Sequence, residues 1–341
     1  YTLWHTLSLH DALPISGLAT GMLGGQYAPE EDRIDPQAVI ERAGGRFVRD
    51  RVTGLDRSRR RLCLASGATL DYDRVSWNVG SRVAMDLPGA DASHVWPVKP
   101  IPGLWDLRQH IATQDASTCL RLIVIGGGPT GCEVAANLAA LVRHAKRDAS
   151  VLLLTRADRL LARSPARAAR LVAADFSQRG ICVRTRVRVG RIEAERVVLA
   201  GGASVPCDAV VLATGLSAPP LVTKLSLPHD PQQGLRVDET LRSPADECVF
   251  GAGDCIDFAG RALPFLGVYG VRQAPVLRRN LLASITGRPF ERYQPQTRAL
   301  SILNLGHGTG LAIWGRWCVH GRWVLRWKEW LDRRFLSQFR S

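Results

Sequence analysis

The sequence predicts an α/β fold organised around residues 120–141, and three observations support this prediction. Residues 122–125 form an apolar, β-branched run, which is typical of a strand buried on both faces of a parallel sheet. Glycines follow it at the spacing G-x-G-x-x-G, at Gly126, Gly128 and Gly131. A run of helix-forming residues comes next, and then a second apolar run at 151–154. This order predicts a site for a dinucleotide phosphate at the N-terminus of the helix.

Two other interpretations of this stretch are weaker. An ordinary glycine-rich turn between a strand and a helix would not require the second strand at the expected place. A membrane span is disfavoured because Glu133, Asn137 and a Gly-Gly-Gly-Pro turn interrupt the apolar run.

Length and composition predict a globular protein with room for two domains in its 341 residues. The eight cysteines include no C-x-x-C pair, so neither a zinc site nor a disulfide framework is indicated, and reduced thiols in the cytoplasm are expected. The net charge of +14 is spread along the whole chain. It is compatible with nucleic acid or an anionic membrane surface as partner, and equally with an arginine-rich genome.

The N-terminal residues have an unusual pattern. Residues 6–15, TLSLHDALPI, match the translation of a widely used short-read sequencing adapter over ten consecutive positions. We therefore interpret residues 1–15 as an adapter-like artefact and exclude them from the fold prediction. We expect the natural protein to begin further upstream.

The rest of the chain predicts alternating strands and helices. Residues 16–29 are glycine-rich without periodicity, which predicts a loop, and residues 88–102 predict a proline-rich connection between domains. Strands are predicted at 46–52, 72–80, 181–189, 196–199, 209–213 and 249–252, with a hairpin at 53–73. Helices are predicted at 34–43, 108–116, 166–179 and 267–282, the last interrupted at Pro275. The tail 323–339 predicts an amphipathic helix with Trp323, Trp327 and Trp330 on one face and Arg326 and Lys328 on the other.

Three segments, in order, resemble flavoproteins with two dinucleotide-binding domains. They are IGGGPTGCEVA from Ile125, LATG from Leu212 and VFGAGD from Val249. Within that group the chain is most similar to type II NADH dehydrogenase-like proteins, from about residue 16 to the end. The resemblance implies two Rossmann-like domains, an NAD(P)H domain inserted in an FAD domain. Their expected boundaries are 16–112 and 232–305 for FAD, 113–231 for NAD(P)H, and 306–341 for a small C-terminal region with β-structure and an amphipathic helix.

The resemblance also implies the residues that bind FAD. Asp254, after Gly253, would accept hydrogen bonds from the ribitol hydroxyls, although it could instead cap the following helix. Val52 would hold the adenine through its backbone. Gly80 and Ser81 would lie beside FAD, where the chain passes from a strand into a loop. Arg272 and Gln273 belong to the helix that faces the isoalloxazine ring, unless both face solvent. The first glycine motif of such proteins, which holds the FAD pyrophosphate, is absent, as truncation would explain.

For NAD(P)H, the resemblance implies a binding turn that consists of Gly126, Gly128, Pro129, Thr130 and Gly131, with Gly215 beside it. Glu133 matches a family glutamate near the nicotinamide, and a helix dipole alone would also favour a carboxylate there. NAD-dependent members usually carry an acid where Thr155 stands. Arg156 and Arg159 could instead bind a 2′-phosphate, but we expect NADH. No metal site is expected.

The predicted activity is the transfer of a hydride from NAD(P)H to FAD, and of electrons onward to a quinone or another small acceptor. The tail 323–339 fits an anionic membrane surface, although it would equally fit a helix packed through its aromatic face. The expected location is therefore cytoplasmic, with peripheral binding to the inner face of the cell membrane. A sulfide:quinone-type reductase would need reactive cysteines, for which Cys182, Cys207, Cys248 and Cys255 show no pairing. A basic binding protein without activity is the non-enzyme alternative; no nucleic-acid partner is expected, and the sequence leaves the oligomeric state open.

Overall fold

A computed structural model describes residues 5–8, 13–28, 30–31, 33–115 and 117–340. About half of the adapter-like residues 1–15 lie outside these ranges. The described helices are α1 (Ser16–Leu23), α2 (Pro36–Arg42), α3 (Pro102–Thr113), α4 (Pro129–His144), α5 (Ala166–Gln178), α6 (Gly267–Thr286) and α7 (Arg322–Arg340). Single 3₁₀ turns lie at Val222–Leu225 and Gly253–Cys255.

The strands of the first half are β1 (His5–Ser8), β2 (Leu13–Pro14), β3 (Arg33–Ile34), β4 (Arg46–Arg49), β5 (Val52–Asp56), β6 (Arg61–Leu64), β7 (Thr69–Asp71), β8 (Val75–Trp77), β9 (Arg82–Val83), β10 (Val95–Pro97), β11 (Leu120–Ile125) and β12 (Ala149–Leu154). Those of the second half are β13 (Cys182–Arg184), β14 (Val189–Glu193), β15 (Arg196–Leu199), β16 (Ser204–Pro206), β17 (Ala209–Leu212), β18 (Leu216–Ser217), β19 (His229–Asp230), β20 (Gly234–Val237), β21 (Arg242–Ser243), β22 (Asp246–Gly251), β23 (Ile256–Phe258), β24 (Leu300–Asn304), β25 (Gly310–Trp314) and β26 (Trp317–Gly321).

The chain divides into two compact units. One comprises Pro14–Ile34, Val83–Gly215 and Arg298–Ser341, and we call it the glycine-turn unit. The other comprises Tyr1–Leu13, Asp35–Arg82 and Leu216–Thr297, and we call it the Asp254 unit. These units group residues 16–34, 83–112 and 298–305 with the glycine turn, whereas the sequence placed them with the predicted FAD segments. They also group residues 216–231 with Asp254, whereas the sequence placed them in the predicted NAD(P)H domain. The assignment of one cofactor to each domain stays a prediction.

The glycine-turn unit is built on a parallel five-stranded sheet in the order β10-β17-β11-β12-β13. Strand β11 is central: Ile123 lies opposite Val210 of β17 on one side and Leu152 of β12 on the other. The four residues of β11 from Leu122 to Ile125 are all buried, as expected for a strand covered on both faces. The unit also contains the antiparallel sheets β14-β15-β16 and β24-β25-β26.

The Asp254 unit contains several smaller sheets. Strand β22 pairs in parallel with β8 and in antiparallel with β21. Strand β20 pairs in parallel with β23, and β5, β6 and β7 form the antiparallel arrangement expected for a hairpin region. One apolar cluster, which includes Trp77, Val249 and Phe258, forms the core around these sheets.

The prediction of a loop at residues 16–29 is wrong, because Ser16–Leu23 forms helix α1. Its glycines suggested a loop since glycine is a weak helix former. Close packing explains them instead: a Cβ at Gly21 would collide with the ring of Tyr27, and Leu18, Met22 and Leu23 are buried. Tertiary packing therefore overrides the low helix propensity of this segment.

Three other predicted elements differ from the structure. The single strand expected at 181–189 is interrupted between β13 and β14, where Arg186 has a φ of +56°. Helix α6 runs through Pro275, because a proline removes one backbone hydrogen bond without necessarily ending a helix. The proline-rich connection at 88–102 contains β10, which joins the parallel sheet through β17.

The C-terminal helix α7 packs on its unit through a face that the sequence did not identify. Val324, Leu325 and Leu336 are buried, whereas Trp323 and Trp330 are more than half exposed. Lys328, which was expected on the solvated face, is buried; its ammonium group donates to Gly17 O and, over 2.6 Å, to Asp332. The three tryptophans therefore do not pack into the core of the described protein, whereas Leu331 and Phe335 of the same predicted face are half-buried.

Candidate functional site

The glycine turn after β11 adopts a conformation that only glycine accommodates at two of its positions. Gly126 has a φ of +128°, and a Cβ there would collide with Ala213 O. A Cβ at Gly131 would collide with Gly126 O, so the first turn of α4 lies directly against the end of β11. These two glycines bring helix and strand into contact, as the spacing predicted.

Gly128 has a different role. It caps α4 with an ordinary φ of −77° and without a side-chain hydrogen bond. Within the described part of the chain, no heavy atom lies within 4 Å of where its Cβ would be. Gly128, Pro129 and Thr130 are exposed, so the N–H groups at the start of α4 face open space. This arrangement fits a pyrophosphate, which would accept those N–H groups at the positive end of the helix dipole.

The ends of three parallel strands meet beside this turn. Gly126 N donates to Leu154 O at the end of β12, over 2.8 Å, and Ala213 N donates to Ile125 O over 2.9 Å. Gly215 follows β17 with a φ of +128° and, among the described residues, has no neighbour that a Cβ would touch. The predicted NAD(P)H residues therefore lie at the carboxyl edge of one sheet, where ligands of such folds bind.

The residues after β12 divide into two groups. Thr155 is buried against Gly127, and its hydroxyl accepts the N–H of Ala157 over 3.3 Å. The guanidinium of Arg159 donates to the carbonyls of Leu161, Ala162 and Ser164 over 2.8–3.1 Å. Arg159 therefore holds its own loop, and the interpretation that it meets a 2′-phosphate is not supported. Arg156 is exposed.

Glu133 is held within the glycine-turn unit by groups from distant segments. Its Oε1 accepts the backbone N–H of Asn304 over 2.7 Å and the Thr20 hydroxyl over 3.5 Å. Burial raises the pKa of Glu133 to about 7, although the charge of Lys328 and the hydrogen bond from Asn304 lower it. A carboxyl with this pKa changes charge near neutral pH, as an acid–base or electrostatic group in a catalytic site would.

Sequence reasoning missed the residues that support Glu133. Asn137, one turn along α4, donates to Glu133 O over 2.8 Å and to Asn304 O over 3.0 Å. Asn304 in turn donates to Gln26 Oε1 over 2.8 Å. The one available signal was a polar Asn137 inside an otherwise apolar helix, because a buried amide requires partners.

In the Asp254 unit, the chain after β22 forms a second polar site. Ser81 Oγ donates to Asp254 Oδ2 over 2.7 Å. Gly253 has a φ of +77°, and a Cβ there would lie 2.5 Å from Asn78 Oδ1. Gly80, with a φ of +69°, has open space beside it in the described structure. The residues that the resemblance identified at 80–81 and 253–254 are thus brought together.

Gln273 connects helix α6 to this site. It is fully buried, and its Oε1 accepts the N–H of Gly253 over 2.7 Å. Its Nε2 has no hydrogen-bond partner among the described residues, and neither has Trp77 Nε1 in the same unit. Buried donors without partners are costly, and the oxygen and nitrogen acceptors of a flavin would satisfy a donor such as Nε2. The residues present therefore fit FAD.

Two further predicted FAD residues are placed without a contact to this group. Val52 lies at the start of β5 opposite Leu64 and packs beside the core of the Asp254 unit. Arg272 is exposed on α6, next to the buried Gln273. Their roles toward FAD stay predictions.

The cysteine of this site is not a ready nucleophile. Cys255 is buried, its thiol donates to Trp77 O and Ala252 O, and burial raises its pKa to about 11. Cys248 is buried as well. A sulfide:quinone-type mechanism needs an accessible thiolate, so the thiols beside this site do not support it.

Known proteins resemble this chain in sequence and in fold. Residues 16–278 match the family model of the pyridine nucleotide-disulphide oxidoreductases. The chain is 26% identical over 279 residues to demethylphylloquinone reductase NdbB of Synechocystis, which covers 77% of this chain and 68% of that protein. It spans less of several other curated relatives.

Solved structures show the same fold. A sulfide:quinone oxidoreductase from Aquifex aeolicus superposes with a TM-score of 0.83 at 16% identity, covering 98% of this chain and 85% of the other. NDH2 from Plasmodium falciparum, in complex with NADH, gives 0.81 at 14% identity, covering 98% and 92%. The predicted α/β flavoprotein fold, the enzyme class and the cofactors FAD and NAD(P)H are confirmed, and the binding-protein alternative is wrong.

Proposed function

Because the chain belongs to the pyridine nucleotide-disulphide oxidoreductase family, we propose that it takes a hydride from NAD(P)H and passes electrons through FAD to a quinone. The observation that supports NAD(P)H binding is the exposed N-terminus of α4 at Gly128. It lies at the carboxyl edge of the five-stranded sheet, with open space beside it. We assign NAD(P)H to the glycine-turn unit and FAD to the Asp254 unit.

Residues of the glycine-turn unit would bind and orient the nicotinamide nucleotide. The N–H groups at the start of α4 would hold its pyrophosphate, and Gly215 would leave room for the rest of the molecule. Glu133 lies in the first turns of the same helix. When ionised, it would stabilise the positive charge that develops on the nicotinamide ring as the hydride leaves.

Residues of the Asp254 unit would bind the flavin. Asp254, oriented by Ser81, would accept hydrogen bonds from ribitol hydroxyls, and Gln273 Nε2 would donate to an acceptor of the flavin. FAD, when bound, would supply the two-electron hydride chemistry of the reaction.

We predict that Asp254→Ala lowers the FAD content of the purified protein. Charge-assisted hydrogen bonds contribute about 1.5–3 kcal/mol, so the affinity for FAD should fall about tenfold to a hundredfold. The measurement is the Kd of the apoprotein for FAD by flavin fluorescence. The matched control is Asp73→Ala, an exposed aspartate of the same unit, which should bind FAD like the unaltered protein. Equal affinities for all three proteins would contradict the assignment of Asp254.

The acceptor is proposed from similarity and from the surface. The Synechocystis relative is named as a reductase of demethylphylloquinone. Quinones reside in membranes, and α7 presents an exposed aromatic face that would bring the protein to a bilayer. Trp323, Trp327 and Trp330 are 57%, 37% and 54% exposed, with Arg322 and Arg326 beside them. Tryptophan favours the headgroup region, and arginine favours anionic lipid. None of the described helices has the length and hydropathy to cross a bilayer.

We predict that the triple variant W323S/W327S/W330S binds anionic phosphatidylglycerol vesicles about tenfold or more weakly, because interfacial binding scales with buried apolar area. Point substitutions are preferable to deletion of the tail, since Val324, Leu325 and Leu336 are buried in the unit. The measurement is co-sedimentation with vesicles at low and high salt. The control L282S/I285S removes two exposed apolar residues of α6 and should bind unchanged. An unchanged partition of the triple variant would contradict the membrane proposal.

A further inference from the structure

We infer that this protein selects NADPH over NADH, and that Arg156 and Arg186 bind the 2′-phosphate of its adenosine. This inference rests on the proposed function only in taking the glycine-turn unit as the site of the nicotinamide nucleotide. It identifies Arg186, which lies thirty positions along the chain from Arg156, as a specificity-determining residue.

The structure brings these two arginines together through the backbone. Thr155 N donates to Arg184 O over 3.0 Å, at the end of β12 and β13. Arg186 N then donates to Ala157 O over 2.8 Å, and Val187 N to Thr155 O over 3.0 Å. The segment 184–187 therefore runs directly beside 155–157, at the position where the adenosine ribose of a dinucleotide lies in folds of this type.

Arg186 occupies an unusual backbone conformation. Its φ of +56° interrupts the strand between β13 and β14 and favours glycine or asparagine over a long side chain. The turn at this residue is what closes the segment against Ala157. It brings the backbone of Arg186 beside the residues that follow β12. The linear sequence, with arginines at 184, 186 and 188, does not distinguish Arg186 from its neighbours.

No acid stands at the end of β12 to bond the ribose hydroxyls of NAD. Thr155 occupies that position, and it is buried against Gly127. The next acid along the chain is the exposed Asp158, which follows the paired residue Ala157. A dinucleotide site that prefers NAD holds a carboxylate at the strand end, which would repel a 2′-phosphate.

The two guanidinium groups are available for a ligand. Arg156 and Arg186 are both exposed, and the guanidinium group of neither makes a hydrogen bond or an ion pair with another described residue. Arg159, by contrast, donates to three carbonyls of its own loop. Arginine matches a phosphate through two parallel N–H groups, and two such groups around one dianion would contribute both affinity and selection.

The test measures nucleotide binding by the full chain, independently of flavin and of turnover. The Kd values of NADP⁺ and NAD⁺ are determined by isothermal titration calorimetry, together with those of 2′,5′-ADP and 5′-AMP, which differ by the 2′-phosphate. We expect the unaltered protein to bind NADP⁺ and 2′,5′-ADP about tenfold or more tightly than their counterparts. Arg156→Ala and Arg186→Ala should each reduce that ratio about tenfold and leave NAD⁺ affinity unchanged. Higher salt should reduce the preference.

Arg188→Ala is the matched control. It removes an exposed arginine two positions further on, where Ala200 N donates to Arg188 O and the chain has joined the β14–β16 sheet. It should keep the preference of the unaltered protein. Equal affinity of the unaltered protein for NAD⁺ and NADP⁺ would overturn the inference. It would also be overturned if Asp158→Ala abolished NAD⁺ binding while Arg156→Ala and Arg186→Ala left the affinities for both nucleotides unchanged. Binding of neither nucleotide would overturn the proposed function as well, whereas a preference for NADP⁺ without flavin reduction would overturn the proposed function alone.

Discussion

Replacing Gly131 with alanine is expected to destabilise the glycine-turn unit severely. The added Cβ would collide with Gly126 O, a backbone atom that cannot move unless α4 separates from β11. Overpacking against a flexible side chain costs about 1–3 kcal/mol, and against a backbone carbonyl we expect at least the upper end of that range. Thermal denaturation would show this as a fall in Tm of about 5–10 °C.

Gly128→Ala should behave in the opposite way. Its Cβ would meet no described atom, and its φ of −77° is ordinary, so we expect Tm to change by less than about 2 °C. The same Cβ would occupy the space that we assign to the pyrophosphate. The Kd of the nicotinamide nucleotide should therefore rise about tenfold or more, equivalent to about 1.4 kcal/mol.

The pair of variants separates a glycine required for folding from a glycine required for binding. Gly201→Ala provides the control, because that glycine also has open space beside its Cβ in the described structure but lies in the turn between β15 and β16. It should change neither Tm nor Kd. If Gly128→Ala bound the nucleotide as tightly as the unaltered protein, the pyrophosphate would not lie at the start of α4.

Glu133→Gln is expected to make the protein more stable at pH 8 and to leave its stability unchanged near pH 4. The folded protein holds this carboxyl with a pKa of about 7, above its usual 4.5. Between these values the unfolded chain ionises first, so the native state loses stability as the pH rises, and the cost is complete above pH 7. The substitution removes a cost of about 3 kcal/mol, and glutamine retains an oxygen that accepts the N–H of Asn304.

Urea unfolding at pH 4 and pH 8 measures this difference. Glu195→Gln, which alters an exposed glutamate of the same unit, is the control and should show no such pH dependence. A stability gain of Glu133→Gln that is equal at both pH values would show that burial does not hold this carboxyl protonated.

The same substitution should slow the reductive reaction. We expect kcat/KM for NAD(P)H to rise with pH through about 7 in the unaltered protein, as Glu133 ionises. In Glu133→Gln, kcat/KM should no longer rise with pH. Above pH 7 it should be about a hundredfold lower than in the unaltered protein, because one electrostatic contact to a developing charge has been removed. A pH profile shared by both proteins would exclude Glu133 from the reaction.

The parts of the fold that local pattern encodes were predictable. The order of β11, the glycine turn, α4 and β12 follows from a buried apolar run and from glycines whose Cβ positions are blocked by backbone. Asp254 was found for a similar reason, since a tight glycine after a buried strand positions the next side chain. In both cases neighbouring residues determine the geometry.

Other features depend on contacts between distant segments and could not be read from the sequence. Helix α1 forms because buried packing outweighs the low propensity of its glycines. Lys328 carries a charge that suggests solvent, yet it is buried through partners at Gly17 and Asp332. Arg186 differs from Arg184 and Arg188 only because the chain turns at it and pairs with Ala157, twenty-nine residues earlier. A prediction from composition and periodicity cannot place such pairs.

The central claim is that this protein passes a hydride from a nicotinamide nucleotide to its flavin. The most direct test is an anaerobic titration of the FAD-bound protein with NADPH and, separately, with NADH, monitored by the visible absorbance of the flavin. We predict bleaching by one equivalent of either nucleotide, faster with NADPH than with NADH at equal sub-saturating concentration, and recovery of the absorbance when a soluble quinone is added. A flavin that stays oxidised with both nucleotides would contradict the claim.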